Sequence, residues 1–84
     1  MTPHDTDAVK PVWYTSRIYA VTTPADRDAV LYFQRVFGLK ETGELDDGTK
    51  SHIRGLQMLE GIRTSGIIDD ATAYAIERIF PYGA

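Results

Sequence analysis

Gly43-Glu44-Leu45-Asp46-Asp47-Gly48-Thr49 returns 23 residues later as Gly66-Ile67-Ile68-Asp69-Asp70-Ala71-Thr72, and this echo decides the fold. A third segment, Thr23-Pro24-Ala25-Asp26, stands the same 23 residues ahead of Asp46 and Thr49. Each pairs an N-cap residue with a polar residue three positions on. In that pattern two side chains can satisfy backbone N–H groups left over at a helix start. A period of this length is one helix plus one tight loop. The spacing predicts an all-α fold of three short helices sharing one apolar face.

Outward from the caps, the first helix takes Thr23 as N-cap, Pro24 at a position that needs no N–H, and Asp26 as reciprocal partner. Its inward stripe reads Val30, Phe33 and Phe37, with Val36 beside them. Gly38 and Leu39 form its stop. The second stripe reads Thr49, Ile53, Leu56 and then Leu59 or Glu60, stopping at Gly61-Ile62. The third places Ala73, Ile76, Ile79 and Phe80 inward, ended by Pro81. Further identities at the same offset are Gln34/Gln57, Gly38/Gly61 and Ile53/Ile76, with Thr42/Ser65 close behind. Every match falls on a core face, a cap or a turn, which is what a structural repeat preserves.

Residues 1–11 are polar and read as a disordered lead. Residues 12–22 are rich in β-branched and aromatic side chains and read as an extended apolar arm, ahead of a three-helix domain over 23–84. Val12, Trp13, Tyr14, Ile18, Tyr19 and Val21 are its apolar contacts. Either the arm folds back over the small core, or it docks on a partner with Trp13 and Tyr14 as anchors.

Composition bounds the rest. Eighty-four residues make one domain with little room for a deep cleft beside its core. There is no cysteine for a disulfide or a thiolate metal site. A net charge of −3 gives no basic footprint for nucleic acid. No stretch has the length and apolarity of a membrane span, and Met1 to Lys10 lack the pattern of a secretory signal, so a soluble protein is expected.

The run Phe33-Gln34…Gly38-Leu39…Thr42-Gly43-Glu44-Leu45-Asp46…Thr49…Ile53 resembles the peptidoglycan-binding-like domain, the three-helix module of bacterial cell-wall hydrolases, related to matrix metalloproteinase propeptides. A second pass follows in Leu56-Gln57…Gly61-Ile62…Ser65-Gly66-Ile67-Ile68-Asp69…Thr72…Ile76, so the likeness spans residues 23–80. The turn from Thr42 to Asp46 is closer to the short propeptide type than to the longer bacterial one. The propeptide's inhibitory cysteine has no counterpart, which sets protease inhibition aside. The resemblance implies a peptidoglycan-binding-domain-like bundle and a non-catalytic module for cell-wall glycan or peptide. It implies no cofactor.

Among polar residues, Gln34 and Gln57 suit a role tying helix to loop, with direct ligand contact as the alternative. Asp46 and Asp69 are explained as caps without acid–base chemistry. His4 and His52 lack metal-ligand spacing, and no nucleophile–base pattern or phosphate-cradling loop is present, so no catalytic residue and no metal site is expected. Tyr32, Arg35, Arg54, Arg63, Tyr74 and Arg78 fall off the main stripes. They are the candidates for ligand contact, since sugars stack on aromatic faces and peptide carboxylates suit arginine forks. Two functions follow: a wall-binding module at the cell surface, or a small structural protein of a virion or surface assembly. The concrete form of the second is a phage capsid decoration or accessory protein docking through its arm.

Overall fold

In the computed structural model, which describes residues 10–82, the chain forms α1 (Pro24–Val36), α2 (Asp47–Glu60) and α3 (Asp70–Ile79). Among the described residues there is no strand beyond one antiparallel bridge between Ile18 and Ile68. The expected disorder of residues 1–9 lies outside the described residues. Lys10 and Pro11, assigned to that lead, are placed: Pro11 is buried and its carbonyl accepts from Tyr14 N–H at 3.0 Å.

All three helices begin at the expected caps. Thr23 Oγ1 accepts from Asp26 N–H at 3.1 Å, and the Asp26 carboxylate accepts in return from the N–H groups of Thr23 and Thr22. Asp46 accepts from Thr49 N–H at 2.9 Å, and Asp69 from Thr72 N–H at 3.0 Å. The two-way capping box is found at α1. At α2 and α3 the threonine hydroxyl three residues on is engaged by a buried glutamine instead. Helix ends repeat as well. Gly38 and Leu39 donate to Arg35 O and Gln34 O, and Gly61 and Ile62 donate to Met58 O and Gln57 O, the crossed bonds that close a helix C-terminus.

One core unites the chain. Ala29, Val30 and Phe33 come from α1, Ile53 and Leu56 from α2, and Ala73 and Ile76 from α3, with Ile68 from the second loop. Tyr14 and Ile18, each 2% exposed, belong to the same core. Each valine, leucine, isoleucine or phenylalanine among them contributes about 1.5–3 kcal/mol through burial. Residues 12–22 are therefore packed on the helices, with Trp13 and Val21 half-buried against the core. Tyr14 and Ile18 are thereby removed from the residues open to a partner, while Val12 and Tyr19 stay exposed.

Two stripe assignments are corrected. Of the two residues expected to end the α2 stripe, Glu60 is half-buried and Leu59 is 86% exposed, and the fully buried position is filled by Gln57. Leu59 lies about 240° around the helix from Ile53, whereas Gln57 lies about 40° away. Ile79 and Phe80 keep 40% and 37% exposure at the end of α3, where Thr72 and Ala75 join Ala73 and Ile76 as the fully buried positions. Phe80 keeps one inward contact, an edge-to-face approach to Phe37 at 5.2 Å. His52, expected on the surface, is half-buried with its ring 4.9 Å from Phe37 and 5.9 Å from Phe33.

Candidate functional site

The polar residues of the repeat form two knots of one plan, the first with one loop N–H bond more than the second. Gln34 Oε1 accepts from Thr42 and Gly43 N–H, both at 2.9 Å. Its Nε2 faces Thr42 Oγ1 at 2.9 Å, Glu44 O at 3.1 Å and Thr49 Oγ1 at 3.0 Å. Shifted by one repeat, Gln57 Oε1 accepts from Gly66 N–H at 3.0 Å. Its Nε2 faces Ser65 Oγ at 3.1 Å, Ile67 O at 3.0 Å and Thr72 Oγ1 at 2.7 Å. An amide has two N–H groups, so three acceptors share them. Among the described residues no buried side-chain N or O lacks a partner. Each glutamine thus pins the loop that follows its helix.

The capping carboxylates complete the knots. Thr42 Oγ1 donates to Asp46 Oδ2 at 3.0 Å, and Ser65 Oγ to Asp69 Oδ2 at 2.9 Å. Hydrogen bonds from the Thr49 hydroxyl, then from Thr49 N–H and the Thr42 hydroxyl, hold the Asp46 carboxyl below the usual aspartate range. At Asp69 burial acts to raise the value. Bonds from the Thr72 hydroxyl, Thr72 N–H and Ser65 outweigh it, and the net shift is again downward. Tyr14 OH donates to Asp70 Oδ1 at 2.6 Å; burial first, then this bond to a carboxylate, push the phenol far above its ordinary range. The hydrogen-bonding capacity of these groups is spent on the two loops and on the start of α3.

The candidate site lies elsewhere, in an open groove of about 440 Å³ between the N-terminal segment and α1. That volume falls within the roughly 300–1,000 Å³ of small-molecule sites. Its aromatic side is a row of three rings: Trp13 and Tyr32 with centroids 5.0 Å apart, and Tyr32 and Tyr82 at 5.2 Å. Glu77 fixes the row. One carboxylate oxygen accepts from Trp13 Nε1 at 3.1 Å and the other from Tyr82 N–H at 3.0 Å. Tyr32 OH donates to Phe80 O at 3.3 Å. Burial, and then the nearby charge of Glu77, raise the Tyr32 phenol above its usual range. The polar side is made by Thr15, Asp28 and Arg35.

Of the six surface candidates, Tyr32 and Arg35 line this groove, together with Val12 and Trp13 of the N-terminal segment. Arg54, Arg63, Tyr74 and Arg78 do not. Three arginines already have partners: Arg35 pairs with Glu41 at 3.1 Å, Arg78 with Glu60 at 3.2 Å, and Arg54 Nη2 donates to Ser51 Oγ at 3.2 Å. Arg63 is exposed and Tyr74 half-buried. Tyr82, Asp28 and Thr15 were missed. A signal for one of them was present, because Asp28, Tyr32 and Arg35 are spaced four and three residues apart and so share a helix face outside the core stripe. Tyr82 and Thr15 join them through tertiary packing, which no local spacing encodes. Comparison with protein-family models, curated proteins and solved structures gave no match to this chain.

Proposed function

We propose that this chain is a non-catalytic binding module that recognises bacterial cell-wall glycan or peptide, built on a bundle of the peptidoglycan-binding-like type. The observation that carries the reading is the open groove with Trp13, Tyr32 and Tyr82 along one side and Asp28 and Arg35 on the other. It combines apolar ring surface with a few planar polar groups, a composition suited to binding a small ligand. Support for the bundle type comes from the residues behind the resemblance. Gln34, Thr42, Gly43, Asp46 and Thr49, and their counterparts one repeat on, are bonded to one another as a motif of loop-fixing residues would require. They serve architecture, which leaves the groove to serve recognition.

The test is co-sedimentation of the purified protein with insoluble peptidoglycan. Deleting residues 12–21 is not a usable control, because Tyr14 and Ile18 are core residues. The double variant Tyr82→Ala/Asp28→Ala alters the groove and leaves the core intact. Pelleting of the parent and its loss in the double variant is the expected result; no pelleting of the parent rejects the wall-binding reading.

A second reading, a small structural protein of a virion or surface assembly, is supported by one observation. Met58 and Leu59 stand 70% and 86% exposed, side by side on α2. A self-associating or assembly-docking face predicts a concentration-dependent mass in sedimentation equilibrium that Leu59→Lys abolishes.

A further inference from the structure

The groove's electrostatics distinguish between the two halves of a cell-wall polymer. We infer that the groove takes the uncharged pyranose ring of a glycan strand, and not the carboxylate of a stem peptide. The inference rests on the wall-binding reading and specifies its ligand.

Charge comes first. A stem-peptide carboxylate needs an available cation, and the groove's one arginine is already engaged. Arg35 Nε and Nη2 both donate to Glu41 Oε1, at 3.3 and 3.1 Å. A second carboxylate would have to displace Glu41 or share its fork. Asp28 on the groove and Glu77, bonded to the groove's Trp13, add negative charge to its surroundings. Like charges repel. An uncharged ligand avoids this penalty.

Shape and hydrogen bonding point the same way. Sugar rings present a C–H face that packs on aromatic surface, and hydroxyls around the rim that pair with planar acceptors and forks. Trp13, Tyr32 and Tyr82 supply the surface. The Trp13 ring is held through Nε1 by Glu77 and the Tyr32 ring through its hydroxyl by Phe80 O, while Glu77 holds the backbone N–H of Tyr82. Fixed walls lower the ordering cost of binding. The exposed Asp28 carboxylate and the Thr15 hydroxyl face the same opening, one an acceptor for paired hydroxyls and the other able to donate or accept.

The chain's single tryptophan is Trp13, so its emission reports on the groove directly. The experiment titrates the full chain with a β-1,4-linked tetramer of N-acetylglucosamine, and separately with a tripeptide ending in D-Ala-D-Ala. The expected result is a saturable shift of Trp13 emission with the tetramer and none with the tripeptide. Asp28→Ala and Tyr82→Ala, both at exposed positions, should each weaken the tetramer about tenfold, the equivalent of one ~1.4 kcal/mol contact. Arg35→Ala should change it less than about twofold, its fork being paired with Glu41.

Two outcomes overturn the inference. One is saturable tripeptide binding that Arg35→Ala abolishes. The other is no tetramer response up to roughly 10 mM, tenfold past a millimolar Kd. Failure of the broader reading looks different. Tetramer binding without sedimentation on peptidoglycan upholds the ring site and rejects the wall as its source. Sedimentation that the tripeptide competes away, and that Asp28→Ala and Tyr82→Ala leave unchanged, rejects the ring site alone.

Discussion

The loop after α1 and the loop after α2 are built from the same bonds, yet they do not sit in the same surroundings. Both are pinned by a buried glutamine and closed by a capping aspartate. The first loop ends in a half-buried Leu45 and an exposed Asp46. The second ends in Ile68, fully buried, and a half-buried Asp69. Cover makes the difference. Ile18 N–H donates to Ile68 O at 3.0 Å, and Tyr14 OH reaches Asp70, so the N-terminal segment closes over the second loop. In a short repeat each unit needs a neighbour to bury its face, and an atypical segment does this at the end of the array.

If cover rather than bonding sets their worth, equivalent substitutions should cost more in the second loop. The largest contrast is apolar. Ile68→Ala should lose about 2–5 kcal/mol and Leu45→Ala about half as much, read from urea unfolding midpoints. Equal losses would show that the N-terminal segment contributes little.

Next come the glutamines. Removing either side chain strands loop N–H and C=O groups at about 1–3 kcal/mol per buried group. If cover decides, Gln57→Ala should destabilise more than Gln34→Ala even though Gln34 accepts from one more loop N–H, and Gln→Glu at either site should also unfold the loop because a carboxylate cannot donate. Amide hydrogen exchange at Gly43 and Gly66 separates loop opening from global unfolding.

A smaller effect should be nearly the same in both loops. Gly43 and Gly66 have φ of +74° and +78°, a region in which a side chain costs about 1–2 kcal/mol. An added Cβ at Gly43 would also meet the Arg27 guanidinium at 2.8 Å, whereas at Gly66 the nearest atom, on Arg54, is at 3.5 Å. Arg27 is a flexible exposed side chain and should swing away. A clearly larger loss for Gly43→Ala in thermal melts would mean that it does not.

The smallest contrast is electrostatic. Asp46 and Asp69 have folded-state pKa values below the unfolded one of about 3.9. Their contribution is complete above that value and is lost as pH falls through the folded values, so stability should be flat above about pH 4 and decline below it. Asp46→Asn and Asp69→Asn should each flatten this acid limb in urea midpoints measured from pH 7 to 2. Concentrated salt should erode the Asp46 share more, because screening acts on exposed charges.

These contrasts also mark where the sequence could be read. Caps, loop glycines and the glutamine pairs were legible because each does its work within one repeat, at fixed spacing. Leu59 was placed inward because apolarity was taken as the sign of burial, while the buried face of α2 ends on the amide of Gln57 that holds the next loop. The placement of Tyr14 and Ile18 was undecidable locally: a β-branched, aromatic run serves a core as well as a partner. For the groove, Tyr32 and Arg35 could be picked out as off-stripe residues, but Tyr82 reaches them through Glu77, 45 residues beyond Tyr32.

Glu77 has one more consequence. By gripping Trp13 with one oxygen and Tyr82 with the other, it brings together two points that lie close to either end of the described residues. A chain re-threaded by linking residue 82 to residue 12 and cutting at the exposed turn around Thr64 should therefore keep its core, and the new joint would lie beside the aromatic row.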